Sequence, residues 1–180
     1  MQLLDELPMI YATCVFVYCV LEDKKKSKYG PMLPVSLFLT AVLITLTYIV
    51  WQDPIFHQVC YGLLVAVVVL KCAGVYRTWP DPIYRKYIPL GVGAYLLGFA
   101  LWNIDNQFCD ALTRWKEDLY PFSPFFELHA WWHFLTALGT YLYIFCNSYH
   151  RSMMIGRDVE VHYVGYFVPV LHLNDRKKFL

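Results

Sequence analysis

Residues 33–51 read Leu-Pro-Val-Ser-Leu-Phe-Leu-Thr-Ala-Val-Leu-Ile-Thr-Leu-Thr-Tyr-Ile-Val-Trp, without a charged residue or a histidine. A helix needs about 20 consecutive apolar residues to cross a bilayer. This run meets that length, and its close at Gln52-Asp53-Pro54 supplies the turn chemistry that ends a span. The whole chain shares the character: 58% hydrophobic, 18% aromatic and a mean hydropathy of +0.41 over 180 residues. That is a membrane composition. A net charge of +1 offers no basic surface for a nucleic acid.

Outward from this run, four further apolar stretches predict helices at about 3–21, 55–76, 88–104 and 125–148. The expected fold is all-α, a bundle of about five transmembrane helices in one integral membrane domain spanning 1–180, with a cytosolic tail at 149–180. Gly91, Gly93 and Gly98 in the fourth span are expected to let a neighbouring helix come close. Six cysteines show no Cys-x-x-Cys pairing, and they read as packing residues. The opening Met1-Gln2-Leu3-Leu4-Asp5-Glu6 carries acids where a secretory signal would be apolar, and it reads as the middle of a protein.

Thirteen of the 15 basic residues fall in the first and third loops and the tail. The positive-inside rule makes that side cytosolic. Asp5, His57, the Asn103-Asp105-Asn106 group, His129 and His133 are then expected at one membrane depth, near the opposite face.

The chemistry centres on Glu127-Leu128-His129-Ala130-Trp131-Trp132-His133. Histidines four apart lie on one helix face about a turn apart, close enough to hold one metal ion. A catalytic zinc takes three protein ligands, of which this pair can supply two; Asp5 or His57 could fill the third place, though spacing places neither, and a carboxylate such as Asp5 could take a proton from the bound water. The plainer readings are interfacial histidines beside the tryptophans Trp131 and Trp132, Asp5 and Glu6 compensating a helix amino terminus, His57 as an interfacial residue, and Asp105 as a structural hydrogen-bonding group. A bis-histidine haem is disfavoured, because both imidazoles would meet the same side of a planar cofactor.

Met1–Met9, Trp102-Asn103-Ile104-Asp105-Asn106 and His129-Ala130-Trp131-Trp132-His133, in this order and spacing, resemble the alkaline ceramidase family. The resemblance covers essentially the whole chain and implies the last five helices of a seven-span membrane amidohydrolase. It implies zinc-dependent hydrolysis of ceramide to a sphingoid base and a fatty acid, with His129 and His133 as two zinc ligands and Asp5 as the active-site aspartate. The family's third zinc histidine, a serine and an acidic calcium-binding segment precede the matching region. Their residues are not in this sequence, which is expected to be a fragment or a short form. The alternative is a non-catalytic, receptor-like or binding protein of the same superfamily.

The carboxyl end, Arg176-Lys177-Lys178-Phe179-Leu180, resembles a dilysine retrieval signal. It points to the endoplasmic reticulum or Golgi membrane. Val164–Leu173, apolar but interrupted by Pro169, is too short to cross and is expected in the membrane interface.

Overall fold

A computed structural model describes residues 2–22, 27–118 and 121–174, with the side chains of residues 2–5, 116–118 and 174 outside the description. Helices α1 (Gln2–Leu21), α2 (Met32–Trp51), α3 (Pro54–Thr78), α4 (Pro82–Gln107), α5 (Cys109–Asp118) and α6 (Leu128–Met154) follow in chain order, with a 3-10 turn, Ser123–Phe126, ahead of α6. The strands β1 (Asp158–Val164) and β2 (Val168–Asn174) end the described chain.

Two of these helices begin on the same tripeptide. Asp53-Pro54-Ile55 opens α3 and Asp81-Pro82-Ile83 opens α4, and in each the aspartate Oδ1 accepts from the isoleucine N–H two residues on, at 2.9 and 2.8 Å. Proline at the first helical position lacks only an N–H that would have no helical partner, and the aspartate satisfies the next one. The fourth helix therefore starts at Pro82, six residues ahead of the expected 88. At the other end, Glu127 is extended and the phenylalanines Phe125 and Phe126 lie in the 3-10 turn, so the last helix starts at Leu128 and not at 125.

Helices occupy all five expected stretches; among the described residues three of them, α2, α3 and α4, are long and apolar enough to cross a membrane, where five spans are expected from the sequence. The all-α expectation is corrected by α6 giving way to an antiparallel two-stranded hairpin. Pro169 does not prevent this, because both strands of a two-stranded sheet are edges, where a missing N–H is tolerated. Between α4 and α6 lies α5, a short amphipathic, polar helix.

The chain forms two compact units, Met1–Thr78 with Asn147–Leu180, and Trp79–Cys146. In the first, Ile10 and Cys14 of α1 meet Ala41 and Ile44 of α2, and Phe56, Cys60, Tyr61 and Leu64 of α3 pack around them. The loop leaving α1 is organised by Glu22, whose carboxylate accepts from Ser27 Oγ at 3.1 Å and from the N–H groups of Lys28 and Tyr29 at 2.9 and 2.8 Å. Arg151 Nη1 donates to the Glu22 carbonyl at 2.6 Å, fastening the end of α6 to this loop.

In the second unit α4 and α6 come together at backbone distance. A Cβ on Gly139 would lie 2.9 Å from the Gly91 carbonyl, and one on Gly98 would lie 3.2 Å from Leu135 Cβ and 3.4 Å from the Trp132 carbonyl. Gly91 and Gly98 thus act as expected, whereas Gly93 meets nothing within 4 Å. Tyr87 and Phe145 pack edge to face beside the glycines, with ring centroids 5.2 Å apart.

Candidate metal-binding site

Gly98 determines what happens at the start of α6. Because it admits the Trp132 backbone, α6 is held with Trp132 buried and its indole 6.2 Å from that of Trp102, on α4. The flanking histidines are left exposed, and their rings lie 4.9 Å apart, nearly perpendicular. Trp132 packs on both, at 5.0 Å from His129 and 4.3 Å from His133, which limits the rotamers available to each. Trp131 Nε1 reaches back to the Phe125 carbonyl at 2.8 Å and fixes the entry to the helix.

The same seating brings Asp105, near the carboxyl end of α4, to His129: its Oδ2 is 3.8 Å from Nδ1, with the carboxylate 20% exposed and the imidazole 47%. This is the separation of an ion pair and too long for a hydrogen bond. A carboxylate at the Nδ1 side favours the tautomer that leaves Nε2 free as a ligand atom. Asp105 is expected from the sequence at the depth of the histidines and as a structural group, but its approach to His129 is not, since no spacing rule links residues 24 positions apart. Its neighbour Asn103 does have the structural role, donating to the Phe99 carbonyl at 2.8 Å within the helix.

The pair His129 and His133 fits a zinc ion as two of its donors: two imidazoles on one helix face, exposed and braced by Trp132. Among the described residues no group of three His, Cys, Asp or Glu side chains gathers to complete a site.

In the other unit Asp5 lies in the first turns of α1, with its side chain outside the described residues. His57 is buried, 4% exposed. Its ring lies 5.0 Å from that of Tyr48 and stacks on Tyr61. Its Nε2 has no hydrogen-bond partner among the described residues. Tyr48 donates its hydroxyl to Glu6, so the acid beside Asp5 is tied to α2.

The ceramidase family profile matches residues 1–172. Alkaline ceramidase 3 of Mus musculus is 41% identical over 180 residues, covering 99% of this chain and 67% of the relative. An alkaline ceramidase of Saccharomyces cerevisiae is 28% identical over 182 residues, covering 91% of this chain and 58% of the relative. The chain spans between about three fifths and two thirds of these relatives' length. With the profile matched over nearly all its residues, the chain belongs to the alkaline ceramidase family of ceramide-amide hydrolases.

Proposed function

We propose that this chain carries the greater part of a zinc-dependent alkaline ceramidase, a single integral membrane domain that hydrolyses the amide of ceramide or a related sphingolipid drawn from the surrounding bilayer. The observation that supports it most is the exposed, Trp132-braced pair His129 and His133 in a chain of this family. Water adds its oxygen to the amide carbonyl carbon and the C–N bond breaks. The nitrogen leaves with a proton as the amine of a sphingoid base, and the acyl group leaves as a fatty acid.

His129 and His133 would hold the zinc. When bound, zinc supplies a Lewis acid for the carbonyl and makes water easier to deprotonate. Asp105 would bias the orientation and tautomer of the His129 ring. Asp5 is the proposed base, taking the proton from the attacking water and returning it to the nitrogen. The remaining zinc ligand and the calcium site are proposed to belong to the part of the family fold not contained in this sequence.

The proposed topology puts the carboxyl terminus in the cytosol, and the proposed compartment is the endoplasmic reticulum or Golgi membrane. The terminal Arg176–Leu180 that suggests it lies outside the described residues.

The test is zinc content and ceramide turnover in the protein extended to the family's full length. His129→Ala and His133→Ala should each lose both. Asp5→Asn should keep zinc and lose about 10²–10⁴-fold in turnover, the usual worth of a positioned base. The 180-residue chain alone should hold zinc weakly and turn over little. The competing reading is a membrane protein that binds its lipid without hydrolysing it, and it draws on the count of two donors among the described residues. Wild-type turnover in both histidine variants would decide against the hydrolase reading of this site.

A further inference from the structure

The register of the carboxyl-terminal hairpin sorts its side chains. Glu160 pairs with His172 and His162 with Val170, while Val159, Val161 and Tyr163 pair with Leu173, Leu171 and Pro169. Side chains alternate between the faces of a strand. The base of the hairpin therefore has a polar face, Asp158, Glu160, His162 and His172, and an apolar face, Val159, Val161, Leu171 and Leu173. The polar face is knit together: His162 Nε2 lies 3.4 Å from Glu160 Oε2, and the rings of His162 and His172 are 5.5 Å apart.

Towards the turn this division ends. Val164, Val168 and Val170 occupy the face that was polar at the base, and all three are exposed, as is Tyr163 on the other face. The turn itself presents Tyr166 and Phe167, 90% and 86% exposed. Tyr166 does so from the left-handed region, φ 67°. For a residue with a Cβ that conformation is unfavourable, and a glycine would avoid the penalty. An aromatic residue held there at a cost, beside a second one, is a turn shaped for contact with something apolar.

The geometry points to the tip of this hairpin, residues 163–168, as an element that dips into the interface of a lipid bilayer. A protein partner pressed against a hairpin covers one face. A fluid apolar phase surrounds the tip, which accounts for apolar side chains standing exposed on both of its faces.

Dimensions and charge agree. From Tyr163 to the turn is about three residues, roughly 10 Å at the rise of a β-strand. Interfacial elements bury their apolar groups to a depth of about 5–10 Å. The hairpin begins four residues after α6, in the same compact unit as α2 and α3, which are long and apolar enough to cross a membrane, so a bilayer surface is within reach. Arg157 immediately precedes β1, at the opposite end of the hairpin from the tip, where it meets anionic head groups while the tyrosine and phenylalanine lie deeper.

The experiment places a photocrosslinker at the tip of the reconstituted protein. Phe167→p-benzoylphenylalanine keeps an aromatic ring in the turn, and Glu160→p-benzoylphenylalanine puts the same group on the polar base. Each is irradiated in vesicles of phosphatidylcholine and phosphatidylserine, and adducts are identified by mass spectrometry. Phospholipid adducts at residue 167, several-fold above those at residue 160, are expected. Equal lipid yields at the two positions would overturn the proposal, as would adducts at residue 167 that are predominantly to protein.

Discussion

The two compact units bury their helices against one another in different ways. In Met1–Thr78 the meeting surfaces are side chains, Ile10 and Cys14 against Ala41 and Ile44, and residues such as Phe56 and Leu64 can adjust around them. In Trp79–Cys146 the meeting surfaces are backbone: the Gly91 carbonyl faces Gly139, and the Trp132 carbonyl faces Gly98. A side-chain interface can absorb a changed methyl by rotamer shifts, whereas a backbone interface has no such slack. The histidine pair is on the helix held by backbone. Without a hydrophobic force between helices in lipid, close backbone approach is also a principal way for them to associate.

The largest effect should come from filling the backbone contact. In Gly139→Leu the new Cβ alone would stand 2.9 Å from the Gly91 carbonyl and 3.1 Å from Tyr95 Cβ, so α6 must move off α4. Overpacking of this kind costs about 1–3 kcal/mol or more. Thermal unfolding in detergent should show a markedly lower midpoint, and zinc retention should fall with it. Gly93→Leu is the control: nothing lies within 4 Å of that position, and replacing a helical glycine gains up to about 1 kcal/mol. Equal destabilisation by the two substitutions would remove the distinction between the units' packing.

A smaller effect sharpens what the backbone seating is for. If it brings Asp105 to His129, then Asp105→Ala should weaken zinc affinity by about 10–100-fold, the usual cost of losing a group that orients a ligand. Asp105→Asn, which can still accept at the ring nitrogen, should recover part of that loss. The unfolding midpoint should barely move in either. A fall in midpoint without a change in zinc affinity would return Asp105 to a structural role.

Smaller again is the response of the side-chain interface. Ile10 is fully buried, and Ile10→Val removes one methylene that Leu37 or Leu64 can close over. About 0.5–1.5 kcal/mol is the expected loss, with zinc retention unchanged. A loss as large as that of Gly139→Leu would show the first unit to be as unyielding as the second.

What the sequence disclosed follows the same division. Apolar runs as long as 33–51 announce helices because composition alone sets their state in a membrane, and the spacing of His129 and His133 puts them on one face wherever the helix lies. Gly91 and Gly98 were legible as close-approach residues. Gly139 was not, since one glycine inside an apolar run carries no signal until its partner helix is known. Asp105 at His129 is likewise a tertiary fact. The hairpin was hidden because Val164–Leu173, apolar and broken by Pro169, reads the same whether it pairs as a strand or lies on a surface; only the alternation of Val159, Val161 and Tyr163 with Glu160 and His162 hinted at β1. Helix starts moved by a few residues because local caps, Asp81-Pro82 at one and the extended Glu127 at another, overrode the apolar boundary.

The smallest effect concerns the loop that fastens the first unit's ends. The N–H of Tyr29, then that of Lys28, the Ser27 hydroxyl and the Arg151 guanidinium favour the ionised Glu22 carboxylate and hold its pKa below the ordinary 4.5. A carboxyl group with a lowered folded pKa contributes stability that is fully present above its unfolded value and is lost as pH falls through the folded one. Wild-type protein should therefore be level in unfolding midpoint from neutral pH down to about 5 and decline below the ordinary carboxylate range. Glu22→Gln keeps one acceptor and loses the charge, so it should start lower at neutral pH. The gap between the two proteins should then begin to narrow as pH drops below 4.5 and close as it falls through the lowered folded value, where the wild-type side chain also becomes neutral. The measurement is the difference in midpoint between the pair across that range. A gap that stays constant with pH would show that the Glu22 charge has no part in holding the α1–α2 loop to Arg151, and that its hydrogen bonds alone carry the contact.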